Sequence, residues 1–144
     1  MAGNITSANA SAIMVIDTLF PVGFALEAFA TDQSISMGED TVAETRMGVD
    51  GKMAAGFVPS IKTVTISFEE FSPSVAYLET MYNAMQANKK TYDVTLVVTV
   101  PSVNRVFTFT GGVLKTGKPF ADHKKVLDPV NWAFDFEKMI PTKI

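Results

Sequence analysis

The chain has 144 residues, 47% of them hydrophobic and 19% charged, with a net charge of −3 at neutral pH and no cysteine. That length suits one domain with a sizeable core. The negative balance argues against a protein that holds nucleic acid by neutralising phosphates, and the lack of cysteine excludes disulfides and thiolate metal sites and fits a reducing compartment.

Met1 to Ser11 is small and polar, with neither the basic nor the apolar region of a signal peptide. Residues 1–11 are expected to form a flexible arm ahead of a single domain over 12–144. The apolar run Ala12 to Ile16 is far too short to span a bilayer, so no membrane anchor is expected. It reads as a first strand. Val22 to Phe29, set off by Pro21, reads as a second, with Phe24, Leu26 and Ala28 alternating against Ala25, Glu27 and Phe29. Both sets are partly apolar, as in a strand buried on two sides. Asp32 to Met37 is a shorter strand and Gly38-Glu39-Asp40 a turn.

Thr41 to Val49 and Lys52 to Val58 form a hairpin about Asp50-Gly51, a dipeptide suited to a type I′ turn. Its small residues, Ala43, Gly48, Ala54, Ala55 and Gly56, fit either a weak, mobile hairpin or close packing of a neighbouring subunit.

Lys62 to Val100 is the organising unit. Val64, Ile66 and Phe68 alternate with Thr63, Thr65, Ser67 and Glu69 at the period of a half-buried strand. Ser72 then caps a helix over about 73–88, with Pro73 at its first position. Val75, Leu78, Met81, Tyr82 and Met85 recur at helical spacing. Alternation resumes with Tyr92, Val94, Leu96, Val98 and Val100. The helix must lie on the sheet, because either apolar face alone would stay wet.

After a turn at Pro101-Ser102, Arg105 to Thr110 is a strand, Gly111-Gly112 allows a bulge, and Val113 to Thr116 continues it. A lysine-bearing loop holds His123. The last strand, Val130 to Met139, alternates Trp132, Phe134 and Phe136 against Ala133, Asp135 and Glu137 and ends at Pro141. About eight strands and one helix make a mainly β protein: two packed antiparallel sheets, a sandwich or partial barrel, with one flanking helix. The expected core is Val64, Ile66, Phe68, Leu78, Met81, Tyr82, Leu96, Val98, Trp132, Phe134 and Phe136.

Groups that could carry chemistry read more simply as structure. His123 is the only histidine; it sits in a lysine-bearing loop, where a solvated side chain is the simpler reading, and a catalytic role would need a base–nucleophile partnership. Ser60 and Ser102 stand beside prolines in turns. Glu39-Asp40 and Glu69-Glu70 lack further carboxylates at metal-loop spacing. Trp132, Phe134 and Phe136 could stack bases, but their neighbours Asp128, Asp135 and Glu137 are acidic, so core packing is the better reading. No enzyme, metal or cofactor is expected.

The order Gly38-Glu39-Asp40, then Arg46-Met47-Gly48-Val49-Asp50-Gly51, then an alternating strand, Ser72-Pro73-Ser74 and Asp128-Pro129-Val130-Asn131-Trp132 resembles the tail tube proteins of contractile-tailed bacteriophages, over about Val22 to Met139. The resemblance implies six-copy rings whose sheets join into a β-barrel around a channel. It further implies helical stacking of the rings, a tape-measure protein and then double-stranded DNA in the channel, and partners at the sheath, baseplate and tail terminator. The subunit would be assembled in the host cytoplasm and end in the virion tail. Under this reading Thr63, Thr65, Ser67 and Glu69, with Glu44, line the lumen. Asp40, Arg46, Val49, Asp50, Gly51, Lys52 and Phe57, with the N-terminal arm, join rings. Competing expectations are the tube of a type VI secretion or other contractile injection system, and a monomeric β-barrel that binds a ligand.

Overall fold

The computed structural model describes residues 11–26, 35–69, 72–120, 123 and 128–143. Among them nine strands and one helix follow in order: β1 (Ser11–Ile16), β2 (Phe20–Ala25), β3 (Ile35–Met37), β4 (Ala43–Met47), β5 (Met53–Phe57), β6 (Lys62–Phe68), α1 (Pro73–Asn88), β7 (Val94–Val100), β8 (Arg105–Thr116) and β9 (Val130–Lys143). The protein is mainly β, with two antiparallel sheets. The large one has seven strands in the order β2-β1-β7-β8-β9-β6-β3, and the small one is the β4-β5 hairpin.

Helix α1 begins where its sequence says it should. Ser72 is extended, and its Oγ accepts the Ser74 amide at 3.2 Å, which satisfies one of the orphan donors of the first turn. Lys89 ends the helix in the left-handed conformation, its amide donating to the Met85 carbonyl at 2.8 Å. Val75, Leu78 and Met81 are buried, and Tyr82 and Met85 pack half-buried against the same core.

The core is one cluster. Met14 and Ile16 of β1, Val64, Ile66 and Phe68 of β6, and Trp132, Phe134 and Phe136 of β9 are all essentially inaccessible. One helix, about 10 Å wide, covers about two strands spaced about 4.8 Å apart. It cannot by itself seal the inner faces of the large sheet, whose buried residues from β1, β2, β6, β7, β8 and β9 form one cluster with those of α1. The helix closes the open side: Tyr77 stacks on Phe24 of β2 with centroids 4.3 Å apart, and Tyr82 meets Trp132 of β9 edge-on at 6.5 Å. The core is thus supplied by the large sheet and the helix. The second sheet, the hairpin, adds nothing to the core.

The corner lies in β8. Val94 pairs with Gly112 and Leu96 with Phe109, so two residues of β8, Thr110 and Gly111, oppose the single Thr95 of β7. Phe109 and Gly112, three apart, thus both face the core, and Gly111 between them takes φ +63°. This is a bulge with its glycine in the left-handed region.

Several boundaries differ from expectation. β2 starts before Pro21 and runs through it, which an edge strand permits. It is buried on one side only, with Phe24 and Leu26 inside and Ala25 exposed. β9 passes Pro141 and ends at Lys143, because beyond Phe136 it pairs with β8 alone and has no second neighbour. The hairpin turn is not type I′. Gly51 alone has positive φ, +81°, while the Gly51 amide bonds the Gly48 carbonyl and the Gly48 amide the Lys52 carbonyl. That is the longer hairpin loop with a single left-handed glycine. The N-terminal arm and the expected strand portions at 27–29 and 32–34 lie outside the described residues.

Candidate assembly surfaces

The hairpin is the first such surface. All ten of its strand residues are exposed. Its register pairs Ala43 with Phe57, Thr45 with Ala55 and Met47 with Met53 on one face, and Glu44 with Gly56 and Arg46 with Ala54 on the other. One face is therefore apolar and the other charged over small residues. Phe57 is 79% exposed and Met47 and Met53 about two thirds, and the tip residue Val49 is open as well. An isolated two-stranded hairpin is marginal in water, and an apolar face of this kind marks a contact. Arg46, Val49, Asp50, Gly51, Lys52 and Phe57, expected between rings, all sit on this projection. Asp40 does not. It lies below the hairpin, tied within the chain to Ser60 and Lys62.

The second surface is the outer face of the large sheet around β6 and β9. Thr65 pairs with Ala133 on one side and Ser36 on the other. Thr63 Oγ donates to Asp135 Oδ1 at 2.7 Å, and Ser67 Oγ to Asn131 Oδ1. Lys115 of β8 lies 3.7 Å from Asp135. Glu137 follows Asp135 on β9 and Glu69 follows the end of β6, so carboxylates as well as hydroxyls lie on and beside this face. Alternation puts Thr63, Thr65 and Ser67 here together, as expected. Glu44 is not among them. It stands on the hairpin, on the face it shares with Arg46. Asp135, Asn131 and Ser36 belong to the polar face but were not singled out from sequence. The signal was their position on the outward parity of strands whose pairing no local pattern reveals.

The other half of the outer face is less polar. Register places Ile13, Val97, Thr108 and Ile140 in one row across β1, β7, β8 and β9, with Ile13 and Ile140 about half exposed. Both lateral margins of the large sheet are edge strands, β2 and the three-residue β3.

Among the described residues no group of three or more His, Cys, Asp or Glu could hold a metal ion, and no helix is long and apolar enough to cross a membrane. His123 stacks on Phe120 at 4.8 Å. Trp132, Phe134 and Phe136 are buried and offer no stacking platform.

The family described as tail fiber protein gp32 matches residues 3–140. The comparison with curated proteins returned no match. Among solved structures, a chain of the six-fold symmetrised cryo-EM structure of the anti-feeding prophage baseplate is similar with a TM-score of 0.63 at 11% identity, over 99% of this chain and 98% of that one. A chain of the extended sheath–tube complex of the extracellular contractile injection system PVC follows at 0.59 and 11%, over 98% and 94%. A chain of the PVC sheath/tube terminator gives 0.58 and 11%, over 99% of each. At such identity the likeness is one of fold.

Proposed function

The chain belongs to the tail fiber protein gp32 family, and on that premise we propose that it is the repeating subunit of a tail tube. The observation that carries this reading is the hairpin, whose apolar face is left open by its own chain and stands ready for another copy. The fold supports it, since chains of the same fold occur in structures described as baseplate, sheath–tube complex and sheath/tube terminator.

Rings of six copies close when the sheet margins at β2 and β3 are taken up by neighbours, which removes edges that invite uncontrolled pairing. Rings stack through the hairpin. The hydroxyl-rich face around Thr63, Thr65 and Ser67 lines the channel. Its few charges, acidic in balance, suit a conduit that must release DNA, because a basic lining would hold phosphates. The tape-measure protein and then duplex DNA occupy the channel, the sheath surrounds it, and baseplate and terminator bound its ends. The subunit assembles in the host cytoplasm and functions in the virion. Its work is mechanical and involves no catalysis or cofactor. A secretion-type or other contractile injection tube would use the same subunit geometry; the family's description favours a tail.

That description also favours a second reading, a solid fibre. Electron microscopy of the purified protein decides between them. Hollow rods or rings support the tube, solid filaments support the fibre, and monomers at every concentration in size-exclusion chromatography with light scattering overturn both.

A further inference from the structure

Below the hairpin both legs meet one lysine. The hairpin's hydrogen-bonding ends with the Val58 amide donating to the Val42 carbonyl at 3.0 Å. Two residues before Val42 is Asp40, and two after Val58 is Ser60. The Ser60 hydroxyl donates to Asp40 Oδ1, which joins the legs. Lys62, the first residue of β6, donates from Nζ to the Ser60 carbonyl at 2.8 Å and lies 3.5 Å from Asp40 Oδ2. Its backbone is held in the large sheet opposite Phe136. The Lys62 and Asp40 side chains are only 17% and 22% exposed. These are not the loose ion pairs of an open surface.

We propose that Asp40, Ser60 and Lys62 form a clamp that sets the angle of the hairpin to the sheet, so that the hairpin's apolar face is aimed before a second copy arrives. The inference deepens the tube reading and rests on it only for the consequence in assembly. The physical case is that the ladder holds the hairpin's strands to each other but does not hold the hairpin to the body. Gly38, with open space around it, precedes the ascending leg, so the backbone there imposes little direction. The three side chains supply a crosspiece between the legs and a tether to β6. If the competent orientation is a fraction of an unclamped ensemble, the apparent affinity between copies falls by that fraction. Loss of the clamp is therefore expected to raise the critical concentration for assembly about five- to tenfold. Because the pair is ionic and partly exposed, salt should raise it as well in the unaltered chain and less in the variant.

The test uses Asp40→Ala and Lys62→Met, the latter keeping the aliphatic stem. The chain has no cysteine, so Val49→Cys and Asn83→Cys can carry spin labels on the hairpin tip and on α1. In dilute, unassembled protein the label distance should be narrowly distributed with the clamp intact. It should broaden in both clamp variants while the thermal transition of the body stays in place. An unchanged distribution overturns the clamp. A broadened distribution with unchanged assembly upholds the clamp and overturns the hairpin's part in stacking. Lys62→Arg should restore both readouts.

Discussion

The Phe136 ring fills the space a side chain at Gly112 would need: a Cβ built there would lie 2.3 Å from two of its ring atoms and 2.9 Å from the Val94 carbonyl. Phe136 is 1% exposed and cannot swing out, and the carbonyl belongs to the paired strand β7. Gly112→Ala should therefore destabilise the subunit by about 3 kcal/mol or more, at the upper end of overpacking costs. Gly111→Ala would put its Cβ 2.8 Å from Glu137 Oε2, which can swing away, and 2.9 Å from Glu137 Cβ, which moves only with the β9 backbone. Its cost should therefore exceed the roughly 1 kcal/mol of the positive φ yet stay below that of Gly112→Ala, where a buried ring and a backbone carbonyl both block the methyl group. Urea unfolding of the two variants checks the difference, and equal costs would mean the corner is not built on this contact.

The hairpin should answer oppositely. Met47→Asp with Met53→Lys replaces a directly paired apolar couple by an ion pair on a surface already exposed. Unfolding free energy should change by no more than about 0.5 kcal/mol, as for surface substitutions generally. Assembly should fail, because each copy now presents two charges to an apolar contact. Sedimentation velocity and negative-stain images of the same sample separate the two effects. Rods of normal length from this variant would remove the hairpin face from the interface.

What the sequence revealed depended on how local the cause was. The strand–helix–strand unit from Lys62 to Val100 was legible residue by residue, because alternation, the Ser72 cap and the apolar spacing of α1 all act within a few residues. The hairpin was legible as a hairpin. Its turn was not, since Asp50-Gly51 serves two loop types and only the φ of Asp50 distinguishes them. Pro21 and Pro141 were read as strand breaks. Whether a proline breaks a strand depends on which side has a neighbour, and that is a property of the whole sheet. The same limit hid the partners of Thr63 and Ser67, which come from more than sixty residues away. Asp40 was placed with the ring contacts by its position before the hairpin, and no local pattern could show that its carboxylate meets Ser60 and Lys62.

The placing of the polar face toward a channel has a chemical check. Thr65→Cys gives the only thiol in the chain, at an outward position between Ser36 and Ala133. In dissociated subunits it should react with both a small maleimide and one carrying a long polymer. In assembled tubes only the small reagent should reach it. An Asn83→Cys control on α1, exposed in the single chain and away from the proposed contacts between copies, reports whether assembly itself blocks the large reagent everywhere. Equal polymer labelling of Thr65→Cys before and after assembly would put that face on the outside.

Gly117 and Trp132 form a second close pair, and it can be measured as a coupling. A Cβ at Gly117 would lie 2.5 to 3.3 Å from three atoms of the six-membered ring of Trp132. Gly117→Ala alone must push a fully buried indole and should cost about 2 kcal/mol. Trp132→Phe alone removes volume, but it also removes a buried indole N–H with no hydrogen-bond partner among the described residues. The cavity costs on the order of 1 kcal/mol and the orphan donor carries a penalty of about the same size, so the net change should be near zero. In the double variant the smaller ring leaves room for the new methyl group. The two changes should therefore cost less together than their sum, by about 1 to 2 kcal/mol. Additive costs would show that the glycine is required for its backbone and not for the ring above it.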